Sequence, residues 1–167
     1  MRLPLIGLLV FSLTLSACAP SVVERSRFGA QDIISNFQSD RGEGASYKVG
    51  ELVKFSFTLA QPGYITLVSM DPDTTTGEVE HSIAMKAGNN VLPRTNDVNA
   101  TGAKAAYKVF PPTGRQRVIL LFTNTPVAKT IRFEGKLNED ALNAKINAYF
   151  GQATIRDVTE TSIEVKQ

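Results

Sequence analysis

The alternation of apolar and polar residues predicts a chain built mainly from β-strands. Residues 53–59 place an apolar side chain at every second position, namely Val53, Phe55, Phe57 and Leu59. This is the period of a strand with one buried face. A second strand-like run follows at 64–70, after Pro62, which fits a turn, and Gly63, which can take the positive φ of a type II turn. We therefore predict residues 47–70 as a β-hairpin around which the other strands are arranged.

Further strands are predicted on both sides of this hairpin. The run RVILLFT is the most continuous apolar stretch after the N-terminal region, so it predicts a central strand buried on both faces. The run EVEHSI alternates but is rich in polar groups, which is typical of an exposed or edge strand. The predicted strands are 32–37, 78–83, 117–123, 153–158 and 162–165, and the predicted loops are 71–77, 86–90 and 94–106.

Near the C-terminus the period of the pattern changes to that of a helix. Asn138 is a good N-cap, and Gly151 lies where a helix commonly ends. Between them, apolar residues recur at helical spacing, namely Leu142, Ile146, Tyr149 and Phe150. We predict one amphipathic helix at about 139–150 that covers the open side of a sheet. A docking face for a partner is the alternative role of its apolar stripe.

The predicted fold class is mainly β: an antiparallel β-sandwich, immunoglobulin-like in architecture, with one short C-terminal amphipathic helix. We divide the chain into a signal peptide at 1–17, a lipidated tether at 18–30 and a single domain at 31–167. The 150 residues after the signal are enough to bury about 68–70% of the unfolded surface in one core.

The N-terminus predicts export and a lipid anchor. Arg2 precedes an apolar run that is shorter than the roughly 20 residues a membrane-spanning helix needs, which is typical of a secretory signal. The run ends in Leu15-Ser16-Ala17-Cys18, which resembles the bacterial lipobox. We therefore predict that Cys18 is lipidated and holds the mature protein on a membrane. Because Ala19 follows, the outer membrane is favoured if the host is a diderm bacterium.

Charge and cysteine content narrow the classes of function. Without the first 17 residues, 17 basic and 16 acidic side chains remain, and no run of basic residues marks a nucleic-acid site. Cys18 is the only cysteine, so no intramolecular disulfide can form. We expect no nucleic-acid partner and no cofactor.

Several short motifs stand out between about residues 47 and 126. They are Tyr47, Gly50, Val53 and Phe55, then Pro62-Gly63-Tyr64-Ile65, Gly77, Gly88-Asn89-Asn90, Leu92-Pro93, Thr113-Gly114, Val118 and Asn124-Thr125-Pro126. Together these motifs resemble those of an uncharacterised bacterial family, domain-of-unknown-function family 4384. The resemblance implies a secreted all-β module of the cell envelope, and it implies no catalytic residues. The chain departs from the family at Thr76-Gly77 and at Ala84-Met85, in the middle loops.

The residues that support catalysis or metal binding are few. His81 is the only histidine, which disfavours histidine-based triads and zinc sites. His81 with Met70 and Met85 is a weak candidate for copper(I), although methionine is more often core filler. Asp71, Asp73 and Glu78 resemble a calcium loop, for which a solvated acidic turn is the alternative. Basic residues at 104, 108, 115 and 117 suggest a patch for an anionic glycan or a phospholipid headgroup, for which an ordinary solvated surface is the alternative.

The first functional hypothesis is a non-enzymatic, lipid-anchored envelope protein that presents its β-sandwich to a protein partner. A free edge at residues 78–83 would accept a partner strand. The alternative is a module that binds envelope glycan such as peptidoglycan through residues 94–108. A hydrolase that uses a carboxylate pair ranks last. In all cases the loops between Asp71 and Gly114 are the predicted place of a binding site.

Overall fold

The computed structural model describes residues 23–94, 107–151 and 153–167. A 3₁₀ turn, Arg25–Phe28, opens this part of the chain. The strands are β1 (Ile34–Ser39), β2 (Ser46–Lys48), β3 (Leu52–Val53), β4 (Phe55–Leu59), β5 (Gly63–Met70), β6 (Thr75–Met85), β7 (Gly88–Leu92), β8 (Tyr107–Lys108), β9 (Gly114–Thr123), β10 (Gly135–Lys136) and β11 (Arg156–Lys166). The helix α1 spans Glu139–Phe150.

The strands form two facing sheets and a small ribbon. The smaller sheet has the order β1-β4-β7, and the larger has the order β10-β6-β5-β9-β11-β2. Strands β3 and β8 pair only with each other among the described residues. The predicted mainly β, sandwich-like fold with a C-terminal helix is confirmed. The larger sheet is mixed and not wholly antiparallel, because β2 runs parallel to β11.

Strand β9 confirms the predicted central strand. It pairs with β5 on one side and with β11 on the other. Val118, Leu120 and Phe122 pack toward the smaller sheet, while Ile119 and Leu121 pack on the other side of the larger sheet. Both faces of β9 are buried because the larger sheet is the middle layer of the molecule.

Helix α1 forms the third layer and has the predicted bounds. The Asn138 side chain accepts a hydrogen bond from the backbone N–H of Ala141 at 2.9 Å, which caps the first turn. The predicted apolar stripe is buried against the larger sheet, in the cluster that contains Val68 and Leu121. The stripe therefore covers the sheet, as expected.

The predicted hairpin at 47–70 is wrong. Strand β4 pairs with β1 and β7 in the smaller sheet, whereas β5 pairs with β6 and β9 in the larger one. The chain between β4 and β5 therefore crosses from one sheet to the other. Gly63 does not take the positive φ of a type II turn. Glycine is required there because a Cβ would overlap the Phe122 ring and lie 2.8 Å from the carbonyl oxygen of Thr123.

Several other strands begin or end at residues different from those predicted, because the local sequence pattern does not determine where strand pairing starts and stops. The two predicted closing strands are one continuous strand, β11, which pairs with β9 from Arg156 to Val165. The predicted loop at 71–77 ends early, because β6 begins at Thr75. The glycine and asparagines of the predicted turn at 86–90 belong to β7. The predicted loop at 94–106 lies outside the described residues except for Arg94.

The described part of the predicted tether, residues 23–30, packs on the fold. Val23 and Phe28 are buried, and the Phe28 ring lies 6.0 Å from that of Phe150. Arg25 reaches Asp157 on β11, with its Nη2 2.8 Å from both carboxylate oxygens. The chain is thus fixed at one end of the larger sheet from Val23 onward.

Candidate functional site

An open cavity of about 400 Å³ lies between the two sheets at one end of the sandwich, and we call it the end pocket. Its walls are mainly apolar: Val53, Phe55, Leu67, Val79, Tyr107, Val109, Phe110, Pro111, Val118 and Ile163. A few polar residues also line it, among them Ser69, Asp71, Thr75 and Gln116. A concave, mostly apolar cavity with a few polar groups is the usual form of a ligand site.

The cavity exists because the two sheets differ in the length of their strands. Strands β4 and β7 have five residues each, while β6 and β11 have eleven and β9 has ten. The smaller sheet therefore covers only part of the apolar face of the larger sheet. The ribbon β3–β8 lies over a further part of this face, and the end pocket is the space that remains.

The ribbon is held in place by backbone hydrogen bonds. Leu52 pairs with Lys108, and Val53 pairs with Tyr107. Beyond these pairs, the N–H of Val109 donates to the carbonyl of Glu51 at 2.8 Å, and the N–H of Gly50 donates to that of Val109 at 2.9 Å. Gly50 has φ +93°, which favours glycine at the turn that leads into the ribbon.

Tyr107 forms a fixed wall of the end pocket. Its hydroxyl donates a hydrogen bond of 2.6 Å to Oε1 of Glu80 on β6, and its ring centroid lies 6.5 Å from that of Phe55. These contacts tie the ribbon to both sheets at once.

The rim of the end pocket carries two exposed apolar side chains. Phe110 is 64% exposed and Val79 is 38% exposed. The Gln116 amide holds the loop of Phe110 by donating to the carbonyls of Phe110 at 3.1 Å and Pro112 at 3.4 Å. Val79 has no partner in β5, because Glu78 pairs with Val68 and Glu80 pairs with Leu67. It is the extra residue of a β-bulge, a feature that redirects side chains.

Asp71 is the acidic group of the end pocket. It follows Met70 at the end of β5 and, by strand alternation, lies on the same face as Ser69. Burial raises the pKa of the Asp71 carboxyl above its ordinary value, and the nearby charge of Asp73 raises it further. Asp73 itself lies outside the end pocket, where a hydrogen bond from the Thr75 N–H lowers its pKa and Lys136 lies 3.2 Å away.

The residues of the copper hypothesis are not brought together. Met85 pairs with Gly63 and Met70 with Thr76, at opposite ends of β5 and about 23 Å apart along the strand. His81 lies between them, but its ring is engaged by Glu78 and by the carbonyl of Val127. Among the described residues, no three His, Cys, Asp or Glu side chains could hold one metal ion.

The three acidic residues of the predicted calcium loop also lie apart from one another. Asp71 lines the end pocket and Asp73 pairs with Lys136, while Glu78 is buried on the helix side of the larger sheet. The Glu78 Oε1 lies 3.0 Å from Nδ1 of His81 and 3.6 Å from Nε of Arg132. The loop residues therefore do not converge on a common ion.

Glu78 and His81 belong to a buried polar cluster beneath α1. His81 Nε2 lies 3.1 Å from the Val127 carbonyl, and the Tyr149 hydroxyl donates to Oγ1 of Thr66 at 2.8 Å. Burial raises the pKa of Tyr149, so its hydroxyl stays protonated as a donor. These contacts tie β6 to the segment after β9, and they tie the helix to β5.

The predicted basic patch does not form around Arg117. This side chain lies on the helix side, where it pairs with Glu139 at 3.0 Å and Glu160 at 2.7 Å. Arg115 and Lys108 are exposed. Lys104, like Cys18, lies outside the described residues. No helix in the described part of the chain is long and apolar enough to cross a membrane.

Residues 46–126 match a family described as Domain of unknown function (DUF4384). This segment, a little under half of the chain, is similar to the DUF4384 family. A search of the curated proteins and a search of the solved structures gave no match. The DUF4384 segment contains every lining residue of the end pocket named above except Ile163, which β11 supplies. The helix and β11 lie outside the DUF4384 segment and complete the sandwich around it.

The sequence predicts that any binding site lies in the loops between Asp71 and Gly114, and several residues that line the end pocket fall in this range. The sequence did not indicate the other residues that line the end pocket, because they belong to strands that come before or after this range in the chain. Phe110 beside Pro111-Pro112 was the available signal, since a proline pair beside an aromatic residue does not continue a buried strand.

Proposed function

We propose that the chain is an exported, lipid-anchored envelope protein that binds a partner protein at the end pocket and catalyses no reaction. The observation that carries this proposal is the end pocket itself, an apolar cavity with Phe110 and Val79 exposed at its rim. Exposed apolar side chains around a cavity are typical of interaction sites.

The outer edge of β6, which the sequence favours for strand addition, is less suited to this role. Among the described residues, only β10 pairs with that edge, and it does so only at Thr75 and Thr76. The β5–β6 register shifts twice, and Ser82 has φ +47°. Bulges of this kind protect an edge from pairing with another chain. We therefore place the partner contact at the end pocket and not along β6.

The position of the proposed lipid anchor would leave the end pocket accessible to a partner protein. Arg25 binds Asp157, which pairs with Phe122 at one end of β9 and β11. The end pocket lies further along the same two strands, where Gln116 pairs with Ile163. Asp157 and Ile163 are about 20 Å apart along β11. With lipid on Cys18, five positions before Val23, the end pocket would point away from the membrane.

The anchor gives a direct prediction. Cys18→Ala is expected to move the protein from the membrane fraction to the soluble fraction and to abolish labelling by radioactive palmitate. The reason is that the acyl chains on this thiol supply the membrane affinity. A Cys18→Ala protein that stays membrane-bound in high salt, or an unmodified wild-type Cys18 by mass spectrometry, would contradict the anchor.

The partner site is tested by cross-linking in intact cells. Phe110→Ser and Val79→Thr are expected to remove a protein cross-linked to the anchored chain, because each takes apolar area from the rim of the end pocket. Val91→Thr is the matched control, since Val91 is also exposed but lies on β7 outside the end pocket.

Two outcomes would speak against this proposal. Equal cross-linking by all three variants would place the partner elsewhere on the surface. If the wild-type chain instead sediments with purified sacculi and Phe110→Ser does not, the alternative of a glycan-binding module takes its place.

A further inference from the structure

The Asp71 carboxylate has no counter-charge in the described structure. No hydrogen bond or ion pair reaches it from the described residues, and the charged group that acts on its pKa is another acid, Asp73. Lys136 is engaged by Asp73. The Lys108 side chain extends toward Gly50, where its Cε would lie 3.9 Å from an added Cβ. An acid in an apolar recess without a partner is unfavourable, and a bound cation would relieve this.

The walls around Asp71 suit a long apolar stem. Leu67, Val79 and Val118 supply aliphatic surface, and Phe55 and Tyr107 supply aromatic rings. Lysine and arginine carry a chain of methylene groups that packs on apolar surface and ends in a positive charge. The aromatic rings add a favourable interaction with that charge.

From these two observations we infer that the end pocket receives a lysine or arginine side chain of the partner protein, whose stem packs on the apolar walls and whose charge pairs with Asp71. This inference rests on the proposed function, since it assumes that the end pocket is the partner site. It adds the chemistry of recognition: the partner presents a basic residue to Asp71, the one carboxylate of a pocket whose other charged lining residue is Lys108.

The test uses the full lipidated chain in nanodiscs and a dye-labelled, capped peptide Ala-Phe-Lys-Ala, followed by fluorescence anisotropy. Two control peptides have acetyllysine or norleucine in place of the lysine. The lysine peptide is expected to bind about tenfold more tightly than either control peptide, an effect between that of an exposed and that of a buried ion pair. Asp71→Asn is expected to remove this preference and to leave norleucine binding unchanged.

Asp73→Asn is the matched control, because Asp73 is the neighbouring carboxylate but lies outside the end pocket. It is expected to change lysine-peptide binding by less than about twofold, as for an exposed charge. Equal binding of the three peptides to the wild type, or an unchanged lysine preference in Asp71→Asn, overturns the inference and leaves the proposed function standing. If none of the peptides binds while cross-linking depends on Phe110, the inference also fails.

The stability of Asp71→Asn separates a lost contact from a misfolded protein. The pKa of Asp71 is raised in the folded state, so the folded chain holds the proton more tightly than the unfolded chain does. Its charged form is therefore unfavourable at neutral pH, and this cost disappears as the pH falls through the folded pKa. Asp71→Asn is expected to unfold at the same temperature as the wild type or higher at pH 7, and a lower temperature would count against an unpaired carboxylate.

Discussion

Asp157→Ala is expected to lower the free energy of unfolding by about 3–5 kcal/mol, the usual cost of breaking a buried ion pair. The Asp157 carboxylate is fully buried. It accepts hydrogen bonds from the Arg25 guanidinium and from the backbone N–H groups of Ile33, Ile34 and Val158, at 2.7 to 3.1 Å. Removing it leaves the partly buried Arg25 without its main partner and three N–H groups without an acceptor. Chemical unfolding of the full chain, followed by circular dichroism, measures the loss.

Asp32→Ala is the control for this experiment. Asp32 also lies 3.1 Å from Arg25, but its side chain is fully exposed, so its loss is expected to cost at most about 1 kcal/mol. The two variants remove the same kind of group from the same arginine and differ in burial. Equal losses for both would mean that the buried network around Asp157 adds nothing beyond a surface ion pair.

Asp157 also shows why the sequence could not place the start of the domain. Apart from the N–H of Val158, its partners lie more than 120 positions earlier in the chain, among residues predicted to be a tether or the beginning of the first strand. Nothing in the local pattern of residues 23–30 shows that Val23 and Phe28 are buried. Their burial depends on α1 and β11, which the sequence places at the other end of the chain.

Helix α1 is the opposite case, and its bounds were predicted correctly. The signals that begin and end a helix lie within a few residues of its ends, here Asn138 and Gly151. The apolar run of β9 was likewise enough to predict a central strand, because burial on both faces is visible in composition alone. Elements defined by their own residues could be read from the sequence, whereas the pairing of elements could not.

The end pocket could be predicted only in part for the same reason. It is a gap between strands of unequal length, and its walls come from residues as far apart as Val53 and Ile163. The bulge that turns Val79 outward depends on how β6 is paired with β5. The sequence could indicate the loops near the site, but the cavity depends on how the two sheets are offset.

The crossing between β4 and β5 gives the second large prediction. A turn with proline and glycine looks alike in sequence whether it joins paired strands or connects two sheets. The structure shows that the turn at Gly63 connects two sheets. The glycine is needed there because the backbone lies close to Phe122 and Thr123, and not because the turn requires a positive φ. Any side chain at this position would push β5 away from β9 or displace the Phe122 ring from the core.

Gly63→Ala is therefore expected to lower the free energy of unfolding by about 3 kcal/mol, the upper end of the usual cost of overpacking. Gly77→Ala in β6 is the control, since its Cβ would meet only the Ser69 Oγ at 3.5 Å, and alanine there is expected to be neutral or slightly stabilising. Phe122→Leu makes room for the new methyl group, so Gly63→Ala should cost less in that background than in the wild type. Additive losses in this double-mutant cycle, measured by chemical unfolding, would show that the Phe122 ring is not what demands glycine at position 63.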